Sequence, residues 1–311
     1  MGKYVLKRIL IMIPVLLGVT LLVFTLLFFA KGDPARAKLG GDATEEEVQE
    51  LREEWGLNDS YIVRYVKYIK NIVFHFDFGK SYATGKSVSE EILSRFGMTL
   101  QLALVSVALA LFFGILMGII AAVKQFSAID HISMVAALIG SSMPAFWVGL
   151  MMSLLFALKL KWLPASGWGT PEQMIMPCIA AAIGHAGGVA RQTRSSMLEV
   201  IRQDYITTAK AKGLSNFKVI FVHAFRNALL PIITAAGNIL GGSLGGAVII
   251  ETVFSIPGLG MYMVDAINRR DYPAIQGSTL FLAVIFGLVM LLVDILYAFA
   301  DPRIKARYKK S

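Results

Sequence analysis

GKSYATGKSVSEE, beginning at Gly79, is the part of this sequence that comes nearest to a chemical site. A loop that cradles phosphate with its backbone amides needs G-x-x-x-x-G-K-[ST] after an apolar strand. Gly85-Lys86-Ser87 supplies the end of that pattern, but the place five residues before Gly85 holds Lys80, and Gly79 is one residue too far. No apolar strand precedes it. The stretch predicts no nucleotide site, and this chain is not expected to hydrolyse anything by itself. His75, His131, His185 and His223 are scattered, with no HxxxH or Cys/His spacing that would hold zinc. Cys178 is the only cysteine, which excludes an intrachain disulfide. His185, in GHAGGVARQTR, could line a polar path, but its apolar setting favours a buried, hydrogen-bonded histidine. Asp294 stands in an apolar run seven residues before Asp301. An acid at that depth is costly, and a structural hydrogen bond or partner contact is expected of it. No catalytic residue or metal ligand set emerges.

Two other stretches have a pattern without chemistry. AAGNILGGSLGGAVIIE sets Gly237, Gly241 and Gly245 four apart, and Gly242 and Gly246 repeat the spacing. Small residues every fourth place let two helix backbones approach closely in a membrane. Packing within the chain is the plain reading; contact with another subunit's helix around a pathway is the sharper one. RQDYITTAKAKGLSNFKVIFVHAFRNALLP, from Arg202, carries five basic residues against the single acid Asp204. Asp204 suits a helix N-cap, Tyr205–Lys212 would make about two turns, and Gly213 is a natural stop. A second helix should start at Ser215, with Phe217, Ile220, Phe221, Ala224 and Phe225 as its apolar stripe, and run to Pro231. An amphipathic linker on anionic lipid would need large apolar anchors. Ala209, Ala211 and Gly213 are too small for that, and suit insertion into a cleft on another protein.

The elements that must position these residues are membrane spans. A charged fraction of 16% with a mean hydropathy of +0.64 over 311 residues is foreign to soluble domains. Six apolar runs are long enough to cross a bilayer as helices: Ile9–Ala30, Met98–Val123, Ile132–Leu158, the weaker Met174–Gln192, Ala228–Phe254 and Thr279–Ala300. With the N-terminus in the cytoplasm, segments on that side hold 16 of the 30 Lys and Arg against four acids. The basic balance is therefore a topology signal, and no separate basic face speaks for nucleic acid. The long connection from Lys31 to Phe96 then lies outside. ATEEEVQELREEWG carries a capping box at Thr44 and Glu47, with Val48, Leu51 and Trp55 on one face and Gly56 as the stop. A second helix should start at Ser60 and carry Ile62, Val66, Ile69 and Val73. The Gly/Pro-rich SIPGLGMYMVDAINRRDYPAIQG could dip back as a re-entrant helix if shielded by protein.

DYITTAKAKGLSNFKVIFVHAFRNALLP resembles the coupling-helix signature of ABC importer permeases, specifically the peptide/nickel (dipeptide and oligopeptide) branch. GDPARA, DFGKS, SMPAFWVG, PGLG, RDYPAIQG and DPRIK fall in the order of that branch along nearly the whole chain. One departure is Thr207-Thr208-Ala209, where the general signature begins Glu-Ala-Ala. The resemblance implies an all-α integral membrane protein with a type I permease core in spans two to six. The divisions it suggests are an N-terminal anchor (1–30), an extracytoplasmic helical segment (31–96), the permease domain (97–300, with a coupling region near 194–230) and a basic tail (301–311). It implies a first-permease subunit that pairs with a second, homologous permease. Two ABC ATPases would bind ATP and Mg, and an extracytoplasmic binding protein would deliver the cargo, all at the cell membrane of a bacterium or archaeon. Asp204, Tyr205, Thr208, Ala209, Ala211, Lys212 and Gly213 are then the expected ATPase-docking residues, and Gly237, Gly241, Gly242, Gly245 and Gly246 the packing or pathway residues. Dipeptides, oligopeptides, glutathione and nickel chelates all remain open as cargo. An ion-coupled carrier, an intramembrane enzyme and a channel are the rival classes, and no catalytic pair or filter motif supports the last two.

Overall fold

A computed structural model describes residues 2–300, with the side chains of 2–4, 246 and 296–300 left outside the description. The DPRIK motif and the basic tail therefore lie outside the described residues. Among those described, the only β pairing is one isolated bridge, Lys80 to Ser87. The chain forms two compact units. Among the described residues, the larger holds 100–256 and 288–300; the smaller holds Gly2–Thr99 and Pro257–Gly287.

Five of the six apolar runs become continuous helices: α1 (Gly2–Phe28), α5 (Val88–Val123), α8 (Pro171–Ile201), α10 (Arg226–Phe254) and α12 (Tyr272–Ala300). Each contains a stretch long and apolar enough to cross a bilayer. The third run departs from expectation. It is two helices, α6 (Ala128–Ser142) and α7 (Ala145–Met152), the latter continued by a π-helical turn over Ser153–Lys159, and the pair bends by 97°. Pro144 is the cause: it has no N–H, and its ring drives the residue before it out of the helical region. Met143 is accordingly extended, at φ −82° and ψ 128°. Taken as one broken span, the pair brings the count to six. The end of α10 and α11 (Leu259–Asn268) form a second interrupted pair, in the stretch expected to re-enter.

The weak hydropathy of α8 has a packing reason. In its span, 44% of residues are buried, against 11% in α1, whose Leu10, Val15, Leu22 and Leu26 face outward. A helix surrounded by helices needs small residues more than greasy ones. A Cβ on Gly187 would lie 2.2 Å from the Ala137 carbonyl of α6. A Cβ on Gly118 of α5 would lie 2.6 Å from the Ala190 carbonyl of α8. Gly187→Val is therefore expected to cost about 1–3 kcal/mol or more through overpacking. Gly188→Val, one place along with nothing within 4 Å, should be tolerated. Thermal melting of the two purified variants checks this, and equal midpoints would refute it.

Polar staples reinforce the same contact. Arg194 of α8 donates to both carboxylate oxygens of Asp130 at the start of α6, at 2.6 and 2.7 Å. Arg191, one turn earlier, donates to the Ala137 carbonyl at 3.2 Å and to Ser141 Oγ at 2.7 Å.

The smaller unit adds α2 (Pro34–Leu39), α3 (Glu45–Glu54) and α4 (Tyr61–His75). The capping box at Thr44 and Glu47 forms in both directions, and Gly56 ends the α3 turn at φ +64°. Ser60 precedes α4 as expected; no residue of α4 is fully buried, and its packed face is made of tyrosines. Ile62, Val66 and Val73 are exposed, while Tyr61 and Tyr65 hydrogen-bond Thr25 and Thr20 of α1 and, with Tyr68, ring Phe24. A tyrosine gives ring area and a hydroxyl together, so it satisfies the threonines that valine would leave bare. Asp271 ties the unit's two sequence segments together. Its buried carboxylate accepts from Ser81 Oγ (2.5 Å), the Tyr82 amide (3.0 Å) and the Ala83 amide (3.2 Å). The DFGKS and RDYPAIQG motifs meet in this knot.

Candidate functional site

α8 gives way after Ile201 to a short helix, α9 (Asp204–Ala211). Its cap is Gln203 rather than Asp204. Gln203 is extended, at ψ 148°, and makes no side-chain cap bond, while Asp204 is already the first helical residue. There the carboxylate still faces the positive end of the helix dipole. Gly213 stops the turn at φ +76°, a conformation that favours glycine, and its amide returns to the Lys210 carbonyl at 3.0 Å. Thr208 Oγ1 donates to the Asp204 carbonyl at 3.0 Å.

The helix has two distinct faces. Ile206 and Ala209, three apart, are buried against Ile119 and Ala122 of α5, Met197 of α8, and Val219, Ala224 and Ala228 beyond. Asp204, Tyr205, Thr208, Ala211, Lys212 and Gly213 are exposed. Ala209 is thus small because its own protein leaves no room, and it belongs to the seat of the helix, not to its outward face. The remaining candidates share one surface, with Tyr205, Thr208 and Lys212 at positions i, i+3 and i+7.

The chain then turns π-helical over Lys218–Phe225 before entering α10. Ser215 does open this helix: its carbonyl takes the Val219 amide and its hydroxyl the Lys218 amide. The expected stripe is redistributed, however. Val219 and Ala224, five apart, are the buried pair, while Phe217 and Phe221 are exposed and packed on each other at 4.7 Å. An i→i+5 helix brings residues five apart onto one side, which a search for 3.6-residue periodicity misses.

The glycine ladder of α10 divides as well. Gly237 is buried, and a Cβ there would lie 2.3 Å from Val293 of α12. Gly241 is buried. Gly242 and Gly245 are exposed, with nothing within 4 Å of an added Cβ. The surroundings of Gly246 lie outside the described residues. Packing therefore explains Gly237, while Gly242 and Gly245 face open space, beside the exposed Asn238. His185 is half-buried on α8 and makes no side-chain hydrogen bond among the described residues. Asp294 is half-buried and engaged by another group.

A polytopic helical core with a seated, outward-facing short helix between two of its spans is the architecture of a type I importer permease. The larger part of the chain, residues 114–306, matches the family of binding-protein-dependent transport system inner membrane components, and residues 1–103 match its N-terminal companion. The chain belongs to this family and is a membrane permease, a transport component and not an enzyme. It is 41% identical to the dipeptide transport system permease protein DppB of Alkalihalophilus pseudofirmus, over 98% of this chain and all of that protein. It is 41% identical to DppB of Bacillus subtilis, over 99% of this chain and all of that protein, and 39% identical to the di/tripeptide permease DppB of Pseudomonas aeruginosa. Among solved structures, the inward-facing methionine ABC transporter MetNI superposes with a TM-score of 0.59 at 17% identity, over 68% of this chain and 97% of that one. At that identity the likeness speaks for the fold.

Proposed function

We propose that this chain is one of two permeases in an ATP-driven importer of di- or oligopeptides, and that α9 is its handle for an ATPase. The observation that carries the reading is the two-faced α9: an inner face locked into α5 and α8, and an outer face of Tyr205, Thr208 and Lys212 left bare. A rigidly seated short helix transmits a push to the spans, where a loose amphipathic one would slide on lipid. ATP and Mg would be held by two partner ATPases, and a binding protein would deliver cargo on the face opposite α9. Both chain termini and α9 would then be cytoplasmic in the cell membrane, with residues 31–96 extracytoplasmic, as the distribution of Lys and Arg favours. The peptide cargo rests on the relatives, which are dipeptide and di/tripeptide permeases.

The test is uptake by the complex reconstituted with its second permease, ATPases and binding protein. Accumulation of a labelled di- or tripeptide that needs both ATP and the binding protein is expected. Uptake of glutathione or a nickel chelate in place of peptides would overturn the cargo; peptide uptake driven by an ion gradient without ATP would overturn the class.

A further inference from the structure

The smaller unit carries a trench of about 910 Å³, walled by α3, α4, the Asp77–Gly85 segment and the start of α12. None of the residues argued above for coupling or for the pathway lines it. Arg64, Lys67, Tyr68 and Asn71 line it along one face of α4. From Arg64 to Asn71 the helix rises about 10 Å at 1.5 Å per residue, the length of about three residues of extended peptide. Trp55 and Tyr82, stacked at 3.9 Å and 3°, give it a flat aromatic wall. Burial pushes the Tyr82 phenol up to about 12, so it stays a neutral hydrogen-bonding group across the physiological range.

The charges lining the trench balance. Lys38, Arg64, Lys67 and Lys80 stand against Glu53, Glu54, Asp59 and Asp77. Some are spent within the chain: Lys67 pairs with Asp59 at 2.6 Å, Lys38 donates to the Ala83 carbonyl, and Asp77 accepts from the Gly79 amide. The Lys80 ammonium, the Glu54 carboxylate and the side-chain amides of Asn71 and Gln276 have no partner among the described residues. A polyanion or a cation would meet equal repulsion and attraction here. A ligand with one charge of each sign and a short polar backbone meets a partner for every group.

Resting on the peptide-importer reading, we propose that this trench is a binding site for a free zwitterionic peptide of about three residues, held by this chain itself before the peptide reaches the spans. Lys80 would take the terminal carboxylate, Glu54 the terminal ammonium, and the Trp55–Tyr82 wall a side chain.

The probe is the tripeptide alanyl-(4-benzoylphenylalanyl)-alanine, photolysed on the reconstituted permease–ATPase complex without binding protein, with the adduct located by mass spectrometry. Label is expected within residues 51–85. Trialanine should displace it, and N-acetyl-trialanine amide, which lacks both end charges, should not. Lys80→Glu and Glu54→Lys, both at exposed positions, should each cut labelling about tenfold, the loss expected for one charge-assisted hydrogen bond. Label elsewhere, or label equally displaced by the blocked peptide, overturns the site. Displacement by phosphatidylethanolamine vesicles but not by trialanine overturns it in favour of a lipid headgroup. If the complex imports the peptide while the trench stays unlabelled, the trench fails and the importer reading stands. If the trench labels while no peptide is imported, the reverse holds.

Discussion

Asp130→Ala is expected to leave little folded permease. The Asp130 carboxylate is buried and accepts both Arg194 bonds as well as the Phe126 amide at 3.0 Å. Removing it strands the Arg194 guanidinium against a helix interface and frees a backbone donor. Breaking a fully buried pair from one side costs about 3–5 kcal/mol; Arg194 is 26% exposed, so the lower end of that range applies, still a large share of the 5–15 kcal/mol that holds a typical domain together. Asp130→Asn keeps the shape and one acceptor and should lose less. The double variant Asp130→Ala/Arg194→Met is expected to be no worse than Asp130→Ala alone, because deleting both partners leaves nothing charged and unpaired. Melting of the detergent-purified proteins, run as a double-mutant cycle, measures this. Additive losses from the two single changes would deny the coupling.

Thr208→Trp and Lys212→Glu, on the bare face of α9, should act on transport and not on folding. If that face seats in an ATPase cleft, a bulky ring or a reversed charge at its centre removes a contact worth about 2 kcal/mol or more, and ATP-dependent uptake should fall about thirtyfold. Melting and membrane yield should be unchanged, since both side chains are exposed. Ala209→Trp should behave in the opposite way. Ala209 is 7% exposed and packed among Ile119, Met197 and Val219, so the indole has no space and the protein should misfold before any docking is tested. Normal uptake with Thr208→Trp would remove α9 from the coupling route.

The contrast between Thr208 and Ala209 marks where sequence reading ran out. Composition and spacing were enough for the all-α membrane class, five continuous spans, the Thr44–Glu47 box and the stop at Gly213, because apolar length, capping and positive φ are local properties. The break in the third run was legible at Pro144 but was overridden by the length of the apolar stretch. Which face of α4 or α9 turns inward was not legible. Both helices are amphipathic in more than one sense, and the choice fell to their neighbours: threonines on α1 that wanted tyrosine hydroxyls, and a tight seat between α5 and α8 that admitted only alanine. The π-helical turn over Lys218–Phe225 changed the period itself. No fixed template of 3.6 residues finds Val219 and Ala224 as a pair.

The knot at Asp271 sets an order of events in synthesis. Ser81 must wait for a partner 190 residues further along the chain. At about 5–20 residues per second, that is roughly ten to forty seconds during which the loop of Ser81, Tyr82 and Ala83 has left the ribosome without the carboxylate that fixes it. The smaller unit takes its residues from both sides of the larger one in sequence, so its two segments are made far apart in time. A ribosome stalled before Asp271 would therefore leave that loop accessible to protease, while release past this residue would close it.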